Sequence, residues 1–317
     1  MRILITGGAG FIGSNLVEAF LKDPRISFVR VLDNFATGYL KNIQEFIKNE
    51  KFEFIEGDIR DKDICIKACN GIDAITHQAA LGSVPRSIKD PITSHDVNVN
   101  GFLNMLEAAK INHIKRFIYA SSSSVYGDLV ESPKVETKVG KVLSPYAATK
   151  MANELYAEAY ARNYDMTLVG MRYFNVFGPK QDPNGPYAAV IPLFIKAALT
   201  NTSPIINGDG SITRDFTPIQ NVIQINTNSI FINLETNKHY VFNVACGQAT
   251  SLNQLWQMIK EITGTSVNAI YGKVRPGDIL FSLADITYAK NNLDYFVESD
   301  LYKSLKITIN YYKKNGY

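Results

Sequence analysis

Residues able to bind metal or form disulfides are scarce in this chain: three cysteines and four histidines among 317 residues. Cys65, Cys69 and Cys246 fit neither a disulfide framework nor a zinc spacing. Cys65 and Cys69 share one helix face in Asp63-Ile64-Cys65-Ile66-Lys67-Ala68-Cys69 and read as packing. His77, His95, His113 and His239 form no ligand cluster, so no metal is expected. Long apolar runs are missing as well. Nothing approaches the ~18 residues of a membrane span, and the longest candidate, 187–199, is interrupted by Pro192 and Lys196. The apolar start after Met1-Arg2 is broken by Thr6, by glycines, and by Ser14 and Asn15, which argues against a secretory leader. Neither sign of charge dominates. With 33 basic and 30 acidic residues and no dense basic stripe, nothing points to a nucleic-acid or membrane partner. The expectation is a cytoplasmic chain, long enough for one large domain or two modest ones sharing a core.

What is present begins at the first strand. Arg2-Ile3-Leu4-Ile5 suits a buried parallel strand and runs into Thr6-Gly7-Gly8-Ala9-Gly10-Phe11-Ile12-Gly13, after which Leu16, Val17, Phe20 and Leu21 follow helical spacing. Gly7, Gly10 and Gly13 permit a tight turn, close backbone approach to a pyrophosphate, and close packing of helix on strand. The helix N-terminus adds N–H donors and the positive end of its dipole. A second strand, Phe28-Val29-Arg30-Val31-Leu32, ends in Asp33, about twenty residues after the last glycine. A carboxylate there accepts ribose hydroxyls and repels a 2′-phosphate, so the expected cofactor is NAD rather than NADP.

The second signal is Ser144-Pro145-Tyr146-Ala147-Ala148-Thr149-Lys150, which follows the hydroxyl-rich strand end Tyr119-Ala120-Ser121-Ser122-Ser123-Ser124. Tyr146 and Lys150 lie one helical turn apart on one face. A phenol is too weak an acid to serve as a base near neutral pH unless a neighbouring cation stabilises its phenolate, and Lys150 is placed to do so.

Strands and helices alternate between these motifs. Strands are expected at 52–55, 73–76, 115–120 and 167–173, and helices at 99–112 and 145–163. Such repeated units give a doubly wound parallel sheet of Rossmann type, with ligands at the C-terminal strand ends. Gly7, Asp33, Asp58, Ala79, Ser122 and Asn175 all fall at such ends. After Gly178 the regularity weakens into a Pro/Asn/Asp/Gly-rich loop, a helix at 187–199, short strands near Ile205 and Ile212, a helix at 221–233 and a strand at 240–244. Helices at 251–263, 284–291 and 300–312 close the chain. The expected division is a nucleotide-binding domain of 1–178, to which 221–246 returns, interleaved with a smaller substrate lobe of 179–220 and 247–317.

These motifs, together with Arg172-Tyr173-Phe174-Asn175-Val176-Phe177-Gly178, resemble the extended short-chain dehydrogenases/reductases. Within them the chain is similar to nucleotide-sugar epimerases, above all the UDP-N-acetylglucosamine 4-epimerases of bacterial surface-polysaccharide pathways. That closer likeness rests on Gly82-Ser83-Val84-Pro85-Arg86-Ser87-Ile88, on residues 181–192, on Asn207-Gly208-Asp209-Gly210-Ser211, and on Arg214-Asp215-Phe216. It extends over essentially the whole chain.

The resemblance implies an isomerase with tightly bound NAD that inverts C4 of a UDP-sugar through a 4-keto intermediate. Tyr146 would take the O4 proton, Ser122 would share that hydrogen bond, and Lys150 would hold the phenolate and a cofactor ribose. NAD would be held by Gly7, Gly10, Phe11, Ile12, Gly13, Asp33, Asn34, Gly38, Asp58, Ile59, Gln78, Ala79, Ala80, Asn98, Ser121, Tyr146, Lys150 and Tyr173. The UDP-sugar would be held by Gly82, Ser83, Ser122, Ser123, Asn175, Gln181, Ala189, Val190, Asn207, Arg214, Arg275, Asp278 and Ser282, with Arg214 and Arg275 as diphosphate clamps. At the position of Ser282, relatives confined to plain hexoses tend to carry tyrosine, and relatives that accept N-acetylated sugars carry something smaller. Relatives also pair the helices at 99–112 and 145–163 into a dimer, and Phe102, Leu103, Leu106, Tyr156 and Tyr160 here would exceed one core stripe. One departure is Gln220, where relatives carry an acid, expected to alter a helix cap or a supporting contact. Three alternatives stay open: a UDP-glucose 4-epimerase, a UDP-hexuronate 4-epimerase, and a non-catalytic NAD-binding protein. A 4,6-dehydratase fits poorly, because Ser122-Ser123-Ser124 lacks the acid pair it needs.

Overall fold

The structure, a computed structural model, describes residues 1–185, 188–273, 282–298 and 300–316. The first half alternates regularly: β1 (Arg2–Thr6), α1 (Phe11–Lys22), β2 (Phe28–Asp33), β3 (Phe52–Glu56), α2 (Lys62–Cys69) and β4 (Ala74–His77). Then come α3 (Val84–Lys89), α4 (Pro91–His95), α5 (Gly101–Ile111), β5 (Arg116–Ser122), α6 (Pro145–Asn163) and β6 (Thr167–Tyr173). Next are β7 (Val176–Phe177), α7 (Val190–Leu199), β8 (Ile205–Asn207), β9 (Thr213–Arg214), β10 (Thr217–Pro218), α8 (Ile219–Phe231) and β11 (His239–Val244). The chain closes with β12 (Thr250–Ser251), α9 (Leu252–Thr263), β13 (Ile270–Gly272), α10 (Thr287–Leu293) and α11 (Leu301–Asn315).

Seven parallel strands form the central sheet in the order β3-β2-β1-β4-β5-β6-β11. The chain winds outward from β1 to β3 and then crosses to β4, so the crevice between β1 and β4 is the topological switch point where such sheets bind ligands. Register aligns the ends that matter: Thr6 pairs with Leu32 and with His77, and Ser122 with Tyr173. The strands read as continuous apolar runs because both faces are covered. Alternate residues divide the core. Ile3, Ile5 and Val31 pack with α1 and α8 on one face, while Leu4, Leu32, Ile75 and Phe117 pack with α2, α5 and α6 on the other. A third cluster, built from Phe194, Ile195, Phe216, Trp256, Ile259, Leu305 and Ile309, joins α7, α9 and α11 away from the sheet.

Several expectations shift. The helix expected from residue 187 starts at Val190, and that expected at 99–112 is a π turn over Asp96–Asn100 followed by α5. The short helices α3 and α4 are additions, each capped by the side chain before it, Ser83 and Asp90. The five residues read as surplus apolar surface are mostly core. Phe102 and Leu106 are wholly buried and Tyr160 is 9% exposed, packed against β4 and β5 within the protomer. Cys65 and Cys69 are buried, and burial pushes both thiols up to about 12. Among the described residues no helix is long and apolar enough to cross a membrane, and no metal-ligating cluster occurs.

Candidate active site

The turn after β1 is built by its glycines. Gly7 has φ +69°, and a methyl group there would come within 2.7 Å of the Ala79 nitrogen at the end of β4. One at Gly13 would meet the Gly7 carbonyl oxygen at 2.2 Å. Only glycine lets α1 seat this closely on the turn. Gly10 is the N-cap of α1 and offers no side chain to it, and Gly10, Phe11, Ile12 and Gly13 line the cleft. Asp33 stands beside them and accepts from Ala9 N–H (2.9 Å) and Phe35 N–H (2.7 Å). Burial pushes its carboxyl above the ordinary value, and those two donors oppose the rise. Gly38 lies over the same turn, where a methyl group would reach Ala9 at 2.6 Å. The cleft continues into a cavity lined by Asp33, Asn34, Asp58, Ile59, Ala79 and Ala80. Asn34 donates to Asp58 (2.8 Å), and Arg60 pairs with Asp58 (2.7 Å), so these side chains fix the wall. A backbone cradle, a helix N-terminus and a carboxylate at one end fit an extended dinucleotide such as NAD.

The hydroxyl-rich end of β5 meets the start of α6 at the opposite edge. Ser144 caps α6 through Ala147 N–H, and Pro145 follows at its first turn. Tyr146 N–H donates to Ser87 Oγ (3.0 Å), which ties α6 to α3. The Ser122 hydroxyl, which accepts from Ser124 N–H (3.2 Å), acts to lower the Tyr146 phenol. Lys150 Nζ donates to the Ala120 carbonyl (2.7 Å) and lies 6.0 Å from the centre of the Tyr146 ring. Burial lowers the Lys150 ammonium to about 8. The phenol departs from expectation: burial raises Tyr146 above its ordinary value, and the nearby Ser122 hydroxyl pulls the other way. In this geometry the ammonium is aimed at a carbonyl rather than at the phenol oxygen.

Other predicted residues sit near the cleft with side chains already engaged. Ser121 donates to Glu154 (2.6 Å) of α6. Asn98 clamps Leu81, accepting its N–H at 2.8 Å and donating to its carbonyl at 3.2 Å, and also reaches Thr149. Tyr173 donates to Gln78 (3.3 Å) and accepts from Asn226 (2.9 Å), which itself accepts from Thr76. Ser83 caps α3. Gln220 is the second residue of α8, whose N-cap is Pro218, so it replaces no cap.

On the lobe side, Asn175, Val190, Asn207 and Arg214 line a second cavity of about 400 Å³ with Phe194, Ile212 and Leu252. Asn175, at φ +36°, donates to the Asp215 carbonyl (3.1 Å). Gly82, Gln181 and Ala189 instead line the cleft that holds the glycine cradle. Ser123 opens the turn after β5, and the neighbouring Ser124 hydroxyl is buried without a partner. Ser282 is half-buried, just before Leu283, whose carbonyl accepts Lys134 N–H (2.8 Å). Arg275 and Asp278 lie outside the described residues.

Sequence reasoning missed the support behind this arrangement. Arg172 donates to both oxygens of Glu154 (2.9 and 2.8 Å), and both side chains are buried. The pair joins β5, β6 and α6 one helical turn beyond Lys150. Its only trace in the sequence is an acid four residues after that lysine.

Residues 3–245 match the NAD dependent epimerase/dehydratase family. A putative UDP-glucose 4-epimerase of Methanocaldococcus jannaschii is 38% identical over 99% of each chain. Among solved structures, the UDP-N-acetylglucosamine 4-epimerase of Methanobrevibacter ruminantium M1, in complex with UDP-N-acetylmuramic acid, superposes with TM-score 0.93 at 36% identity, covering 99% of this chain and 98% of that one. The UDP-glucose 4-epimerase of Thermotoga maritima, with UDP-glucose, gives 0.92 at 34% identity and 99% coverage of both.

Proposed function

The chain belongs to the NAD dependent epimerase/dehydratase family and is a UDP-sugar 4-epimerase, an isomerase that uses NAD, and we propose that it interconverts UDP-N-acetylglucosamine and UDP-N-acetylgalactosamine. The chemistry rests on one observation: Tyr146 and Lys150 stand one turn apart on α6, with Lys150 Nζ 6.0 Å from the Tyr146 ring centre and bonded to the Ala120 carbonyl near the Ser122 end of β5. NAD, when bound, supplies the acceptor for the C4 hydride and returns it. Tyr146 takes the O4 proton, Ser122 orients that oxygen, and Lys150 contributes positive charge beside the phenol. Arg214 and Asn175 hold the nucleotide diphosphate in the lobe cavity, while the sugar is held loosely enough to turn over. The preference for an N-acetylated sugar rests on the resemblance, in which small side chains at Ser282 and Ala189 would leave room for an acetamido group.

Incubating the purified protein, without added NAD, with UDP-N-acetylglucosamine, UDP-glucose or UDP-glucuronate and following the sugars by NMR tests this reading. Faster conversion of the N-acetylated sugar supports it, and preferential turnover of UDP-glucose overturns it. A UDP-hexuronate 4-epimerase is the second reading, favoured by the buried, unpartnered Ser124 hydroxyl, a donor that a C6 carboxylate would use. The same series decides it. A homodimer, a cytoplasmic location and a role in polysaccharide precursor supply belong to the same proposal. Outward apolar residues on α5 and α6 include Ile111 at 46%, Leu155 at 66% and Tyr156 at 40% exposure. Light scattering that finds only monomer at micromolar concentration refutes the dimer.

A further inference from the structure

Two loops approach each other over the cofactor cleft. Residues 36–42 lie across the glycine turn: Tyr39 N–H and the Asn42 amide both donate to the Ala9 carbonyl, at 3.0 and 2.8 Å. On the other wall, residues 179–182 are fastened to α1 and to α11. Asn15 donates to the Pro179 carbonyl (3.0 Å), Lys180 pairs with Glu18 (3.1 Å), and Tyr312 donates to the Gln181 carbonyl. A single hydrogen bond joins the two walls, from the Tyr39 hydroxyl to Asp182 Oδ2 at 2.7 Å. The other Asp182 oxygen accepts Asn184 N–H, which fixes the direction of the carboxylate. Both partners line the cleft opposite Gly10 to Gly13.

We propose that the Tyr39–Asp182 hydrogen bond is a gate that controls entry and exit of NAD. The inference rests on the epimerase reading in one respect. A reaction that removes hydride from C4 and returns it leaves the cofactor in its starting state, so slow exchange costs nothing in turnover. The bond is made by the two loops with each other, tyrosine hydroxyl to carboxylate. Breaking it raises the population of the open mouth for arriving and for departing NAD alike. The acceptor is charged, and a hydrogen bond of this kind supports about a ten-fold change in that population.

The test uses NAD-loaded protein and no sugar substrate, so it is independent of which reaction the enzyme catalyses. Release is followed by chasing bound NAD with a fluorescent NAD analogue, and entry by mixing that analogue with the stripped protein. Tyr39→Phe and Asp182→Ala are each expected to raise both rates about ten-fold while the dissociation constant changes less than three-fold. The double variant is expected to match either single one, because both remove the same bond. Rates within two-fold of the parent overturn the proposal. So does faster release alone with weakened affinity, which would make the pair an ordinary cofactor contact, and so do effects that add in the double variant.

Discussion

Replacing Lys150 by methionine isolates what its charge contributes to the phenol. The Lys150 nitrogen lies 6.0 Å from the Tyr146 ring centre in a buried setting. At that separation and an effective dielectric constant of about 20, Coulomb's law gives about 3 kcal/mol in favour of the phenolate, or about two pH units in its acidity. Burial pushes Tyr146 the opposite way. The lysine charge therefore decides how much phenolate exists near neutral pH. Lys150 titrates near 8, so it carries its charge at pH 7 and loses it as the pH rises through about 8. The two groups titrate as a coupled pair, and the acid limb of a pH–rate profile belongs to both. In Lys150→Met that limb of kcat/KM is expected about two pH units higher, with activity at pH 7 down by up to about 100-fold and recovering at high pH. The assay is epimerisation by the NAD-loaded variant between pH 6 and 10. The variant also loses the donor to the Ala120 carbonyl, at a stability cost of about 1–3 kcal/mol. That cost lowers the amount of folded protein without displacing the limb. A limb within half a pH unit of the parent refutes the electrostatic role.

Tyr146→Phe is expected to keep the fold and bound NAD while slowing epimerisation by at least about 100-fold, and near-normal turnover removes it as the base. Asp33→Asn is expected to weaken NAD binding and narrow the gap between NAD and NADP, because the amide cannot accept from both Ala9 and Phe35 and no longer opposes a 2′-phosphate; an unchanged ratio of the two affinities contradicts this. Ser282→Tyr is expected to abolish turnover of N-acetylated sugars and spare plain hexoses, whereas unimpaired turnover of UDP-N-acetylglucosamine places the pocket wall elsewhere. Burial, with Lys150 as a lesser cause, holds His77 neutral down to about 3. An unfolded histidine takes up a proton near 6.5, so the parent loses stability as pH falls from about 6.5 toward 3, by at most about 1.4 kcal/mol per pH unit from this group. His77→Asn is expected to flatten that slope in urea melts at pH 7 and pH 5, and an equal slope in parent and variant refutes the assignment.

The parts legible in the sequence are those encoded by neighbours. The Gly7/Gly10/Gly13 spacing, Asp33 at the end of β2, and the Tyr146/Lys150 pair each state a geometry within a few residues, and the structure places the glycines and Asp33 around one crevice. What stayed hidden depends on partners far along the chain. Nothing local marks Tyr39 as the partner of Asp182, or Glu154 as the partner of Arg172. Phe102 and Leu106 look like surplus apolar surface until His77, Phe117 and Tyr119 are seen to enclose that face. The setting of Tyr146 depends on a distant partner too: helical spacing places an ammonium near a phenol, but the direction of the ammonium is set by the Ala120 carbonyl on another element.

The last strand of the sheet carries a consequence for synthesis and for modularity. β11 pairs with β6 residue by residue, from His239 on Leu168 to Val244 on Tyr173, yet α7 and the short strands of the lobe separate the two in the chain. While the ribosome is still making that intervening stretch, β6 is a fully formed apolar strand with one side open. A fragment ending at Gly178 keeps that open side permanently, so it would offer a template for pairing with other chains instead of behaving as an independent nucleotide-binding unit. The lobe cannot be exchanged as a cassette either. Any graft must also carry the strand that seals its neighbour, which binds the history of the sugar-binding half to that of the half that holds the cofactor.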